Sequence, residues 1–224
     1  MMKYLPVLGA ALALVLWLSP TATPGAAETA PLRILAFGDS LVHGYGLAVK
    51  ETFPTQLERA LQREGHRVQV LNGGNSGDTT AAGLARLDWA LADRPDLAIV
   101  ELGANDGLRG IDPGETYRNL DAILKRLKAE GITVLLAGML APRNLGTDYT
   151  DAFDAVFPRL AEVHGVALYP FFLDGVAMRP ELNQADGIHP NAAGVALMVE
   201  RILPSVVRLI DALAESRGAE AADG

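Results

Sequence analysis

Leu32-Arg33-Ile34-Leu35-Ala36-Phe37 runs directly into Gly38-Asp39-Ser40-Leu41, and the reading of this junction organises the rest of the chain. The first segment is apolar apart from Arg33, leans toward β structure and has strand length. Gly-Asp-Ser then suits a turn at the strand's C-terminal end, the rim on which open α/β sheets place their ligands. A serine there is exposed, and the backbone N–H groups of the turn can face a reacting oxygen. Taken alone, a serine after a strand is a turn or cap residue more often than a nucleophile. Three further stretches of the chain, each supplying a part that acyl transfer needs, give it a chemical reading.

Outward from this strand the chain alternates. Residues 54–64 read as a helix with Leu57, Ala60 and Leu61 on one face, ended by Gly65. Residues 68–71 read as a second strand, closed by the loop 72–77. Asp78 or Thr79 then caps a helix to about Leu91. Residues 96–102 form a third strand with the near-continuous apolar run of a buried parallel strand. After a loop over 103–112, Pro113 lies near N1 of a helix to Ala129, with Leu120, Ile123, Leu124 and Leu127 as its buried stripe. Residues 132–137 are the fourth strand, 139–148 a loop, 149–163 a helix and 166–171 the fifth strand. Residues 174–189 read as irregular. Pro190 opens a last helix toward Leu213, which Pro204 is expected to kink or break. Five strands alternating with helices predict an α/β fold, a parallel sheet covered on both faces in three α/β/α layers. No internal repeat or interdomain linker is apparent.

The chain has 224 residues, half of them apolar, which suits one α/β domain with a sizeable core. At the N-terminus, Lys3 is followed by a mostly apolar run from Leu5 to Leu18, short for a membrane span. Small, turn-prone residues follow, and Gly25 and Ala27 fit the −3 and −1 positions of a signal-peptidase site. The expected organisation is a signal peptide over 1–27, a domain over 28–214 and a frayed tail over 215–224; the rival for the first segment is an uncleaved anchor. The net charge of −8 includes Lys3, and residues 1–27 contain no acid, so cleavage leaves −9. That balance argues against nucleic acid and anionic membrane surfaces as partners. The chain has no cysteine, which excludes disulfides and thiolate catalysis and suits an exported protein. The expectation is a periplasmic or secreted monomer with no stable membrane span after cleavage.

The reactive candidates fall in loops after strand C-termini or just before the last helix, so in a parallel sheet they share one rim. Four histidines are available as a base for Ser40. His66 and His164 belong to the opposite rim, and His43 has no carboxylate in its own loop to orient it. His189 lies in Asp186-Gly187-Ile188-His189-Pro190, where the three-residue spacing lets Asp186 reach Nδ1 and leaves Nε2 for the serine proton. An oxyanion hole needs donors fixed in advance. The Ser40 N–H, the Gly77 N–H and the Asn105 side-chain amide are the candidates. The plainer readings are a turn glycine, a loop cap and a helix-start histidine; their coincidence in the right loops favours the chemical one.

Gly38-Asp39-Ser40-Leu41, Gly77, Gly103-Ala104-Asn105-Asp106 and Asp186-Gly187-Ile188-His189-Pro190 together resemble the four blocks of the SGNH/GDSL hydrolases. Ser76-Gly77-Asp78-Thr79 and the run from Glu101 to Gly110 are similar to its bacterial thioesterase/lysophospholipase/arylesterase branch. The resemblance covers most of residues 32–205. It implies a flavodoxin-like strand order, and Ser40 as nucleophile, His189 as base and Asp186 as its orienter. It also implies Ser40, Gly77 and Asn105 as the oxyanion hole. Asp39, Leu41, Leu108, Arg109, Ile111, Pro142, Asn144 and Tyr149 are the expected substrate contacts. In the branch, the loop 107–111 moves over the acyl chain, and Met139, Leu140, Ala141 and Leu145 belong to the opposite wall. Ala104 stands where many branch members have glycine, and Gly73-Gly74-Asn75 is richer in glycine than expected.

The implied function is hydrolysis of carboxylic acyl or aryl esters, extending to thioesters and lysophospholipids, by a secreted serine esterase without cofactor or metal. The ester or thioester is then the only small-molecule partner. Rival classes are weaker. The glycine-rich loop 72–79 lacks the Lys-Ser/Thr of a P-loop and the spacing of GxGxxG. A metal site from Asp39, His43, Asp186 and His189 leaves the serine and oxyanion parts without a use. A non-catalytic binding protein on this fold has no need of the intact set. A carbohydrate O-acetylesterase would be expected to carry an aromatic sugar platform, and aromatics are 6% of the chain.

Overall fold

The computed structural model describes residues 1–2 and 30–223, so nearly all of the expected signal peptide lies outside the described residues. Residues from Pro31 onward pack as one unit. Its centre is β1 (Leu32–Gly38), flanked by β2 (Val68–Gly74) and β3 (Leu97–Glu101), with β4 (Thr133–Ala137) and β5 (Ala167–Tyr169) completing the sheet. All pairings are parallel, in the order β2-β1-β3-β4-β5. That is the flavodoxin-like order, whose reversal beside β1 opens a crevice at the strands' C-terminal ends.

Helices cover both faces because each presents one apolar stripe. α2 (Phe53–Arg63) buries Phe53, Leu57, Ala60 and Leu61, the i, i+4, i+7, i+8 spacing of a helix face. It packs beside the C-terminal helix α8 (Ala192–Asp223). The other face carries α3 (Thr80–Ala90) and α5 (Pro113–Ala129), followed by α6 (Thr147–Asp154) and α7 (Val156–His164). α5 starts as its sequence implies: Asp112 accepts from Glu115 N–H at 3.1 Å and Pro113 occupies the first turn. Between the layers, Ile34, Phe37, Ile99, Leu120, Leu124 and Leu135 are fully buried, each contributing about 1.5–3 kcal/mol by leaving water. Among the described residues no helix is long and apolar enough to cross a membrane.

Several elements differ from the sequence expectation. The helix expected over 149–163 is two helices, because Pro158 near the start of α7 has no N–H for the Asp154 carbonyl and its ring crowds that group. Pro204, expected to kink or break the last helix, does not break it. It sits on the exposed side of α8, where the carbonyl it leaves without a donor can face water. Meanwhile Val195, Val199, Ile202, Val206 and Ile210 continue the buried stripe past it. The expected tail from Glu215 is helical to Asp223, and Arg217 pairs with Asp96 at the base of β3. β2 runs through Gly73 and Gly74, which pair with Phe37 and Gly38, so those glycines belong to the sheet and not to a loop. Within the expected loop 103–112 lies a short helix, α4 (Ala104–Leu108).

Candidate active site

Ser40 opens a single helical turn, α1 (Ser40–His43), immediately after β1. Asp39 caps that turn by accepting from Leu41 N–H at 3.0 Å. The cap and the strand end therefore fix the serine from both sides. Ser40 Oγ lies 3.0 Å from His189 Nε2, and His189 Nδ1 lies 2.7 Å from Asp186 Oδ2. The second Asp186 oxygen accepts from the N–H groups of Ile188 and His189, both at 3.0 Å. These bonds to the His189 N–H, the imidazole and the Ile188 N–H hold the Asp186 carboxyl down at about 2. Asp186 is ionised at any pH above about 4, and it favours the imidazole tautomer with Nδ1 protonated and Nε2 free to accept.

The three expected oxyanion donors meet beside this relay. Among the described residues the N–H groups of Ser40 and Gly77 donate to no protein acceptor. Gly77 has φ +86, with no heavy atom nearer than 4.0 Å to where a Cβ would be. Backbone conformation, rather than space, calls for glycine there. Asn105 Nδ2 donates to Asp39 Oδ2 at 3.1 Å and to Asp78 O at 3.0 Å. Both acceptors are chain neighbours of the other two donors, which brings the amide nitrogen to the same place and settles which end of the amide faces it. An oxyanion would share hydrogens that are already engaged.

The supports of these donors are buried and polar. Asp78 pairs with Arg86 at 2.5 Å, and Arg86 also donates to Gly38 O at 2.8 Å and lies over the Phe37 ring. This clamps the Gly77 turn to the end of β1. Thr79, rather than Asp78, caps α3. Asp106 accepts from Thr80 N–H, Thr80 Oγ1 and Thr116 Oγ1, anchoring α4 and so Asn105.

A cavity of about 720 Å³ opens beside Ser40, and its walls are mainly apolar. Leu41, Leu108 and Pro142 line it as expected, as do Met139, Leu140 and Ala141. Asp39 reaches it only from behind, since its side chain is fully buried. The other expected contacts do not line it. Arg109 is exposed and donates to Gly77 O at 2.9 Å. Tyr149 stacks on Phe153 and donates to Ile111 O at 2.8 Å, which ties Tyr149 and Ile111 to each other. Asn144 sits exposed in a 3₁₀ turn with Arg143 and Leu145. The structure adds Tyr45, Phe171, Leu173, Met178 and Ile188 to the lining. Tyr45 lies against the His189 ring at 4.6 Å between centroids. Gln184 bridges Tyr45 O and Pro190 O at 2.8 and 3.0 Å. The only sequence hint of that contact is Gly44-Tyr45-Gly46 just beyond the nucleophile turn.

The remaining histidines lie elsewhere. His43, at the exposed end of α1, has Nδ1 3.4 Å from Gly74 O, and His164 is bound to Asp121 at 2.9 Å on the far rim. Among the described residues no three His, Asp or Glu side chains are grouped to hold a metal ion.

Residues 36–197 match the GDSL-like Lipase/Acylhydrolase family. An arylesterase of Vibrio mimicus is 40% identical over 184 residues, 82% of this chain and 92% of that protein. Thioesterase 1/protease 1/lysophospholipase L1 of Escherichia coli (strain K12) is 42% identical over 159 residues, 70% of this chain and 75% of its own length. Among solved structures, the SGNH-hydrolase family esterase AlinE4 superposes with a TM-score of 0.69 at 48% identity. That match covers 82% of this chain and 98% of the other.

Proposed function

The chain belongs to the GDSL-like lipase/acylhydrolase family and is an ester hydrolase, and from that premise we propose that it is an exported serine esterase for apolar acyl and aryl esters. The observation that carries the mechanism is the continuous relay from Asp186 through His189 to Ser40 Oγ, at 2.7 and 3.0 Å, at the edge of an apolar cavity. Ser40 Oγ attacks the ester carbonyl carbon as its proton passes to His189 Nε2. The oxyanion is met by the Ser40 and Gly77 N–H groups and the Asn105 amide. Collapse returns the proton to the departing alkoxide or thiolate and leaves an acyl-enzyme on Ser40. Water, deprotonated by the same Nε2, then releases the acid and restores the serine.

The walls set the substrate class. Leu108, Met139, Leu140, Phe171, Leu173 and Ile188 offer dispersion contacts and few hydrogen-bond partners, which suits an alkyl or aryl group better than an acetylated sugar. Export rests on Lys3, the Leu5–Leu18 run and the small residues up to Ala27. One preparation tests both parts. Enzyme recovered from the producing cell should begin near Glu28. It should also hydrolyse p-nitrophenyl esters, an acyl-CoA and a lysophospholipid with kcat/KM far above that for an acetylated sugar. An intact Met1 on membrane-bound material would favour the uncleaved anchor over cleavage, and a preference for the sugar ester would refute the substrate class.

Asn105 separates transition-state from ground-state roles. Removing one oxyanion donor typically costs about 10²–10³ in kcat, so Asn105→Ala should lower kcat by about that factor with KM nearly unchanged. A raised KM at constant kcat would make it a substrate-binding residue instead.

A further inference from the structure

The mechanism leaves one buried acid unused. Glu101 ends β3, and its side chain, like that of Asp39, is fully buried. Its Oε2 accepts one long hydrogen bond, 3.3 Å from Asp39 N–H, and Oε1 has no partner among the described residues. The neighbouring sequence makes room for this group. A Cβ on Gly38 would lie 2.4 Å from Glu101 Oε2, so the glycine that opens Gly-Asp-Ser vacates the volume the carboxyl occupies.

Asp39 is provided for differently. Its oxygens accept from Leu41 N–H and from Asn105 Nδ2, bonds that strengthen when the acceptor is charged. The other charged groups nearby are Asp78 with its partner Arg86 on α3, Asp106 on α4 and His189 on the rim. Asp106 is saturated by Thr80 and Thr116, and Arg86 is committed to Asp78 and Gly38 O, so no cation is left for a second carboxylate. Two carboxyls this close and away from water do not both ionise. Asp39 has the donors and Glu101 has the orphan oxygen, so the proton belongs on Glu101. Electrostatics agree: burial raises Asp39 only to about 6, because Leu41 and Asn105 oppose it, whereas burial and then the Asp39 charge push Glu101 well above the usual range.

We propose that Glu101 is a positioning residue that works as a neutral acid, filling the space under Gly38 and leaving Asp39 as the one carboxylate that aims the Asn105 amide. The inference deepens the esterase reading and rests on it for the role of Asn105. The proton runs opposite to the usual arrangement for a conspicuous acid near a nucleophile, since Glu101 acts by staying uncharged.

Isotope-edited infrared spectroscopy tests this on the full chain labelled with ¹³C-carboxyl glutamate. Wild type at neutral pH should show the C=O stretch of a protonated glutamic acid, and Glu101→Gln should lack it. If the wild type shows only carboxylate bands, the proposal is overturned whatever the activity, so a variant that fails to fold does not leave the question open. Kinetics supply the second arm. Glu101→Leu should lower kcat by about 10–10²-fold, part of the cost of losing an oxyanion donor, with KM little changed, and Glu101→Gln should rescue it. Equal losses in both variants would mean that the charge is needed, and wild-type kcat in Glu101→Leu would remove the positioning role; either result overturns the proposal. Should Ser40→Ala prove fully active, the esterase reading fails while the infrared band still stands or falls by itself.

Discussion

Ser40→Ala is expected to lower kcat by on the order of 10⁶, the loss typical when the nucleophile of a serine hydrolase triad is removed, with the melting temperature essentially unchanged. The prediction follows from how little else the hydroxyl does. Its contact is His189 Nε2. The turn around it is held by Asp39, by the Gly44 and Tyr45 N–H groups on the Ser40 carbonyl, and by the His43 N–H on the Asp39 carbonyl. Alanine keeps all of those backbone bonds and is a good helix former at the first position of α1. Steady-state hydrolysis of a p-nitrophenyl ester by the folded variant measures it. Activity within tenfold of wild type would remove Ser40 from the mechanism.

The second large loss is expected at the acid. Asp186→Asn should cost up to about 10⁴ in kcat/KM, and the geometry says why an amide cannot substitute. The Ile188 and His189 N–H groups both require an acceptor at one oxygen. The Asn carbonyl would take that place, which turns its NH₂ group toward His189 Nδ1. The imidazole would then carry its proton on Nε2, where it cannot accept one from Ser40. The pH dependence has a definite sign. With its carboxyl held at about 2, below the ordinary value of 3.8, Asp186 contributes its stabilisation fully above about pH 4. That contribution is lost as pH falls toward 2. A decline in activity between pH 5 and 7 therefore does not come from Asp186; Asp39, pushed up to about 6 by burial, releases its hold on Asn105 in that window. His43→Ala is the control, expected to track wild type across pH. If it abolished activity while Asp186→Asn did not, the base would have been assigned to the wrong loop.

Legibility in the sequence followed the range of the interactions. The strand–turn at Phe37–Ser40, the glycine at 77, Asn105 and the pair Asp186/His189 could be proposed as candidates because each lies in a short motif legible within its own loop, although distant partners hold them in place. The sheet order came with the family resemblance. What escaped depends on distant partners or on a competing local rule. Tyr45 gains its place against His189 from Gln184, which is 139 residues away. Arg109 and Tyr149, expected as substrate contacts, do not line the cavity and donate to Gly77 O and Ile111 O. Pro158 and Pro204 obey the same chemistry with opposite outcomes.

The placement of Asp186 and His189 in one turn has a mechanical consequence. The bonds from Asp186 to the backbone and ring of His189 make the acid and the base a single rigid body, braced at its ends by Gln184. A triad gathered from three separate segments must close two long loops to bring its members together. This one closes a single loop, between Ser40 and His189, which lie 149 positions apart. Because closure entropy grows only slowly with loop length, segments between them can lengthen, shorten or be exchanged at little cost, and none of those changes can misalign the acid with the base. The cavity wall from Met139 to Met178 lies inside that interval. On the proposed mechanism, the part of the chain that would select the substrate is thus free to diverge, while the part that would move the proton keeps its own alignment.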